Sequence, residues 1–231
     1  ILLLIATFWD ALIDPFIGHF SDTMRSRFGR RRPFLMFATP FILLGVILIW
    51  TPPSTTNYAV NAVYFLAIIL IYHTSFSLVG IPYDASLPEM APETHDRLKL
   101  SYWKSLLGIV GVLIGSLVAA PLFETIGPVW MGVVVGVVAV ITIYITLLGL
   151  KETTRPIGDT MSAIEGFKVT FRNKQFLILF GSTLLVHIAY QMVLANFPYF
   201  VTLVPRQTEG DVGIVPRVLI IFIALTGPVW T

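Results

Sequence analysis

The stretch Ile1-Leu2-Leu3-Leu4-Ile5-Ala6-Thr7-Phe8-Trp9-Asp10-Ala11-Leu12-Ile13-Asp14-Pro15-Phe16-Ile17-Gly18-His19-Phe20-Ser21 is apolar over nearly its whole length. It runs straight into Asp22-Thr23-Met24-Arg25-Ser26-Arg27-Phe28-Gly29-Arg30-Arg31-Arg32-Pro33. About 20 mostly apolar residues at 1.5 Å rise each are enough to cross roughly 30 Å of hydrocarbon. An apolar run of that length that ends in five arginines reads as a membrane-spanning helix anchored at one face. Its two acids are the exception to explain, because a carboxylate at membrane depth costs at least about 2.5–3.5 kcal/mol on insertion scales.

The rest of the chain repeats the pattern. Further apolar stretches occupy Phe34–Trp50, Tyr58–Ile81, Leu100–Phe123, Val129–Leu150, Gln175–Val204 and Gly213–Thr231. Pro52-Pro53-Ser54, Gly127-Pro128 and Pro205 punctuate them as turns. The runs are too long for strands and lack period-two alternation, so a β-barrel is excluded. Composition agrees. Hydrophobic residues are 56% of the 231 and charged residues 12%, about half the usual charged share of about 25% in a soluble domain. The fold expected is an all-α membrane bundle with seven spans visible. The chain opens and closes inside apolar runs, so it reads as part of a longer protein.

Charge placement sets the orientation. Segments 22–33, 82–104 and 151–174 hold 5, 3 and 5 basic residues, against only Arg206 and Arg217 elsewhere. The positive-inside rule places those three segments in the cytoplasm, which for a bacterial protein means the inner membrane. Within the third, Ser162–Phe171 reads as a short amphipathic interfacial helix. A net charge of +2 is too small to suggest a nucleic-acid partner. With no Cys, disulfides and thiolate metal sites are excluded. Neither His-Glu-x-x-His, Gly-x-Ser-x-Gly nor a phosphate-cradling Gly loop occurs, so no enzyme and no bound cofactor is expected.

Asp10 and Asp14 lie four residues apart and therefore share one helix face. Two like charges on adjacent turns repel, and a bound cation, H⁺ or Na⁺, relieves both the repulsion and the desolvation. A structural pairing with an Arg or Lys on a helix outside this stretch of chain is the competing reading. Beneath them, Asp22, Arg25, Arg27, Arg30 and Arg31 around Gly29 suit a cytoplasmic latch of charge pairs, or plain headgroup anchoring. Gly29 permits a tight turn, and Pro33 suits the start of the next helix.

Asp10-Ala11-Leu12-Ile13-Asp14-Pro15-Phe16-Ile17-Gly18, the Ser21-Asp22 step and Arg25-Ser26-Arg27-Phe28-Gly29-Arg30-Arg31-Arg32-Pro33-Phe34 resemble the second helix and following loop of the glycoside–pentoside–hexuronide:cation symporters. These are the melibiose-permease-like branch of the major facilitator superfamily. Gly80-Ile81-Pro82-Tyr83-Asp84-Ala85-Ser86-Leu87-Pro88-Glu89 resembles the end of that family's fourth helix, and Asp96-Arg97 its next loop. The resemblance is strong over the first 34 residues and moderate to about residue 110. The Gly-Arg-Arg-Arg-Pro-Phe stretch is also similar to sucrose–proton symporters.

This resemblance implies a twelve-helix carrier. Residues 1–150 would be most of its N-terminal bundle, 151–174 the central loop and 175–231 the start of the C-terminal bundle. It implies that Asp10 and Asp14 bind the coupling cation and that Arg97 joins cytoplasmic charge contacts. Gly80 replaces an acid frequent in relatives, and Ile13 a frequent polar residue. Fewer oxygens around the cation favour a proton over Na⁺, and no metal is expected beyond a transported Na⁺.

Tyr83, Asp84, Ser101, Lys104, Gln191 and Asn196 are the candidate solute contacts. Lys104 could equally snorkel to headgroups. Tyr102 and Trp103 suit either a sugar face or the interfacial belt, and His187 and Tyr190 interhelical bonding. His73 reads as structural. The runs Gly108–Gly111–Gly115 and Gly132–Gly136 read as packing faces. The function expected is cation-coupled symport of a sugar or glycoside-like solute by a monomer embedded in the bilayer. The alternatives are a carrier of a non-sugar amphiphile such as a lysolipid, or a receptor or scaffold that transports nothing.

Overall fold

The computed structural model describes residues 2–24, 26–54, 56–150, 152 and 163–203. Among them are seven α-helices: α1 (Leu2–Thr23), α2 (Arg32–Ile49), α3 (Tyr58–Met90), α4 (Thr94–Ile126), α5 (Pro128–Gly149), α6 (Ala163–Arg172) and α7 (Lys174–Leu203). Helices α1 to α5 are each long and apolar enough to cross a membrane. The expected span Gly213–Thr231 lies outside the described residues.

The chain divides into two compact units, one of Ile1–Lys104 with Leu117–Thr160, the other of Ser105–Ser116 with Met161–Thr231. In the first, α3 packs on α1 and α2, and α2 packs on α5. Small residues allow these approaches. Ala6, Ser21, Ser75, Pro82 and Ser86 are all buried, and they line the faces on which α1 and α3 meet. A Cβ on Gly45 would stand 3.0 Å from the Cβ of Tyr72, so a larger residue there would push α3 away by a few tenths of an ångström. Gly132 and Gly136 of α5 sit against Trp50, Leu43 and Val46 of α2 in the same way. At Gly108, Gly111 and Gly115, where a packing face is expected, no described residue lies within 4 Å of an added Cβ.

The lipid-facing sides carry large apolar residues. Leu4, Phe8 and Phe16 of α1 are each roughly two-thirds exposed or more, which is favourable only in hydrocarbon. Polar side chains inside the helices bond back to their own backbone. Thr39 Oγ1 donates to the Leu35 carbonyl, Ser75 Oγ to that of Ile71 and Ser86 Oγ to that of Tyr83, which satisfies these three hydroxyls without water.

The third span was expected to end at Ile81, leaving 82–104 as a connection. Instead α3 continues through Pro82 and Pro88 to Met90, and α4 starts at Thr94, so the true connection is only Ala91-Pro92-Glu93. Proline costs a membrane helix little where neighbours re-satisfy the freed backbone group. Pro82 is fully buried. Pro92 is the proline that ends the helix, by forcing Ala91 out of helical geometry. Gly127, at φ 83°, makes the turn from α4 into α5.

In the second unit, Asn173 caps α7 by accepting from the N–H groups of Gln175 and Phe176. The rings of Phe171, Phe176 and Phe180 cluster at 5.9–6.4 Å and hold α6 to α7. Helix α6 forms where the amphipathic segment was expected.

Candidate cation site and the charged clamp

On α1, Ala6, Asp10, Asp14, Ile17 and Ser21 recur every three or four residues. Ala6, Ile17 and Ser21 are buried, so both acids lie on the face turned to α3. Asp10 and Asp14 are each half-buried. One oxygen of Asp10, Oδ2, bonds His73 Nδ1 on α3 at 2.6 Å. Oδ1 of Asp10 and Oδ1 of Asp14 are buried with no hydrogen-bond partner. Among the described residues no Lys or Arg forms an ion pair with either acid. Buried carboxylate oxygens without donors are costly, and a small cation is the simplest group that would satisfy both.

More than two turns further along, the α1–α2 loop closes a dense charged network. The α2 N-terminus has no side-chain cap of its own, because Arg31 occupies the cap position. The four first N–H groups of any helix need partners from elsewhere. Here Glu152, just past α5, supplies them. Its Oε2 accepts from Arg30 N at 2.5 Å, and its Oε1 from Arg31 N at 2.9 Å and Arg32 N at 2.8 Å. Gly29 makes this possible. It has φ 111°, and any Cβ there would lie 2.5 Å from Glu152 Oε2.

The arginine side chains complete the clamp. Arg31 is buried at 5% exposure. It donates through Nη2 to Asp22 Oδ1 at 2.7 Å and through Nη1 to the Ala85 carbonyl at 2.6 Å, and it pairs with Glu89 at 3.2 Å. Arg30 pairs with the same Glu89 oxygen at 2.5 Å. Arg32 donates to the Leu147 carbonyl at 3.0 Å, near the C-terminal end of α5, where the helix dipole favours a cation. One loop thereby ties together the ends of α1, α2, α3 and α5.

The structure gathers some of the expected residues and leaves others apart. Asp22, Gly29, Arg30 and Arg31 meet in the clamp. Arg27 instead lies over the ring of Phe28, 4.6 Å from its centroid. Arg97 donates from Nε to the Ala91 carbonyl at 3.4 Å, across the turn it follows. Arg25 lies outside the described residues. Lys104 bonds Asp84 at 2.5 Å and lies 5.4 Å from the ring centre of Tyr83, so these three candidate solute contacts do come together, with Asp84 well exposed. Ser101 is exposed on α4. Gln191 lines an open groove along α7, and Asn196 turns back to donate to the Met192 carbonyl at 2.8 Å.

Sequence reasoning missed Glu152, Glu89 and His73 as parts of these assemblies. One signal for the first was available: Arg30-Arg31-Arg32-Pro33 holds no Ser, Thr, Asp or Asn to cap α2, so an acid had to come from afar.

Five helices long and apolar enough to cross a membrane define a polytopic integral membrane protein. The chain belongs to the MFS/sugar transport protein family, whose model matches residues 1–231. Over 117 residues it is 30% identical to the sodium-dependent lysophosphatidylcholine symporter 1 of Gallus gallus, covering 50% of this chain and 22% of that one. It is 27% identical over 173 residues to the isoprimeverose transporter of Lactiplantibacillus pentosus, covering 70% of this chain and 35% of that one. Over 187 residues it is 27% identical to the putative glycoside/cation symporter YagG of Escherichia coli, covering 77% and 40%. The chain thus spans less than half the length of these curated relatives. The membership agrees with the melibiose-permease-like resemblance read from residues 10–34.

Proposed function

We propose that this chain is part of a secondary active symporter that couples a monovalent cation, H⁺ or Na⁺, to a glycoside-like solute by alternating access. Residues 1–150 supply most of one helix bundle, 151–174 the connector and 175–231 the start of the second. The observation that carries this reading is the pair of buried, partnerless oxygens on Asp10 and Asp14. Two anionic side chains on adjacent turns are tolerable in hydrocarbon once a cation joins them, and only the fully loaded or the empty carrier reorients cheaply. That difference is what couples the two fluxes.

The clamp built on Asp22, Arg30, Arg31, Glu89 and Glu152 acts as the cytoplasmic gate in this reading. It holds one conformation through charge-assisted bonds that water can replace in the other. Arg27, Arg97 and Arg25 are retained as candidates for the alternate set of contacts. Tyr83, Asp84 and Lys104 offer an aromatic face beside a donor and an acceptor, the chemistry that recognises a sugar ring and its hydroxyls. Ser101, Gln191 and Asn196 remain candidate solute contacts on their own helices.

The test uses the full-length protein in proteoliposomes. Asp10→Asn and Asp14→Asn are expected to abolish cation-driven accumulation while labelled solute still exchanges down its own gradient. Unchanged accumulation in both variants refutes the assignment.

A second reading has one observation in its favour. A cleft of about 300 Å³ among α1, α2 and α3 is lined by Phe20, Phe34, Phe37, Phe41, Ala38 and Leu78, a surface that suits an acyl chain rather than a sugar. On that reading the cargo is a lysolipid-like amphiphile. Competition of labelled glycoside uptake by lysolipid, and the reverse, separates the two.

A further inference from the structure

We infer that His73 is the positioning residue of the cation site, acting through Asp10; this rests on the cation-site reading above and names a residue that the paired-acid pattern does not contain. Consecutive residues of α1 bond consecutive residues of α3. Trp9 Nε1 donates to Thr74 Oγ1 at 2.9 Å, and Asp10 Oδ2 meets His73 Nδ1 at 2.6 Å. Thr74 spends its own hydroxyl hydrogen on the Leu70 carbonyl at 2.7 Å, so its lone pairs are committed to receiving the indole. A carboxylate without its proton can only accept, and in that form of Asp10 the hydrogen of the bond belongs to Nδ1 of His73.

Two adjoining bonds between rigid helices fix both the rotation of α1 and the plane of the Asp10 carboxylate. With Oδ2 held by His73, Oδ1 is left buried and unspent, as is Oδ1 of Asp14. The imidazole is itself braced by the edge of the Tyr72 ring, with centroids 5.9 Å apart, and Tyr72 is wedged against Gly45 of α2. A chain of contacts from α2 through α3 therefore sets the one oxygen that Asp10 offers a cation. The advantage is preorganisation: a carboxylate free to rotate must be ordered when the ion binds, whereas this one is ordered beforehand.

The geometry makes a discriminating test possible. The side-chain nitrogen of Asn sits on Cγ, where Nδ1 of His does, whereas that of Gln reaches the place of Nε2. His73→Asn retains a donor toward Asp10, and His73→Gln and His73→Ala do not. Uptake by the full-length carrier in proteoliposomes is measured against Na⁺ concentration at fixed pH, and against an imposed proton gradient without Na⁺. The readout follows whichever cation drives the parent. His73→Gln and His73→Ala are expected to raise the half-saturating level of that cation by about tenfold, the lower end of the usual loss when a ligand's supporting bond is removed. Solute exchange at saturating cation stays within about twofold, and His73→Asn restores the parental value.

A parental half-saturation in His73→Gln overturns the inference, and so does a His73→Asn variant as impaired as His73→Gln. Should His73→Ala fail to reach the membrane, the Asn and Gln pair decides alone. Asp10→Asn serves as the separate control. If it keeps cation-driven uptake, the cation-site reading itself fails; if it loses the drive while His73→Gln does not shift half-saturation, only the positioning role fails.

Discussion

Replacing Glu152 with Ala removes the acceptor for three consecutive backbone N–H groups at the start of α2. A hydrogen bond to a charged group contributes about 1.5–3 kcal/mol net, but these three share two oxygens on a half-exposed side chain, so simple addition overstates them. A lost N-cap costs about 1 kcal/mol, and an anion at a helix N-terminus contributes about 0.3–1 kcal/mol, up to about 2 when partly buried. Together these give about 2–3 kcal/mol for the local closing of the α1–α2 loop. At 1.4 kcal/mol per decade, that is roughly a 30- to 150-fold rise in the open population. Amide hydrogen exchange reads it directly, because the amides of Arg30, Arg31 and Arg32 are the donors. Glu152→Ala is expected to speed their exchange by that factor while amides in the middle of α2 keep parental rates. Glu152→Gln is expected to fall between, since its single amide oxygen can replace Oε1 but presents an NH₂ where Oε2 stood. Exchange at residues 30–32 within about threefold of the parent in Glu152→Ala would show that the clamp contributes nothing.

Gly29→Ala places a methyl against the Glu152 carboxylate and forces an L residue to φ 111°, which costs about 1–3 kcal/mol. Part of that cost is the clash, so Gly29→Ala is expected to be milder in a Glu152→Ala background than alone. A double-mutant cycle on thermal unfolding that gives no coupling rejects the contact. Glu89→Ala strips two arginines of a shared partner and leaves Arg31 buried at 5% exposure. Arg31 keeps Asp22 and the Ala85 carbonyl, so a loss of about 1.5–3 kcal/mol is expected, the range for a hydrogen bond to a charged group, measured as reduced stability in detergent, and Glu89→Gln is expected to be milder.

Much of this protein is written in its composition. The apolar runs mark where the five long apolar helices α1 to α5 lie, because each helix must satisfy its own backbone in lipid and that requirement is local. The arginines after Ser21 mark the loop as an anchor for the same reason, and the Asp10–Asp14 spacing places both acids on one face by helix geometry alone. Residues 82–90 were misread because Pro82 is a helix breaker only in a local account; packed against α1 within the bundle, it is tolerated, and the helix runs on to Met90.

What the tertiary structure alone decided is which groups complete one another across long separations. Glu152 stands 120 to 122 residues from the amides it caps, and His73 stands 63 from Asp10. No periodicity or spacing relates such pairs, since their meeting depends on which helices are neighbours and on how each is rotated. The sequence shows that Asp10 and the α2 N-terminus need partners, because buried charge and orphan amides are costly wherever they occur. Only the packing of α1, α2, α3 and α5 determines who those partners are.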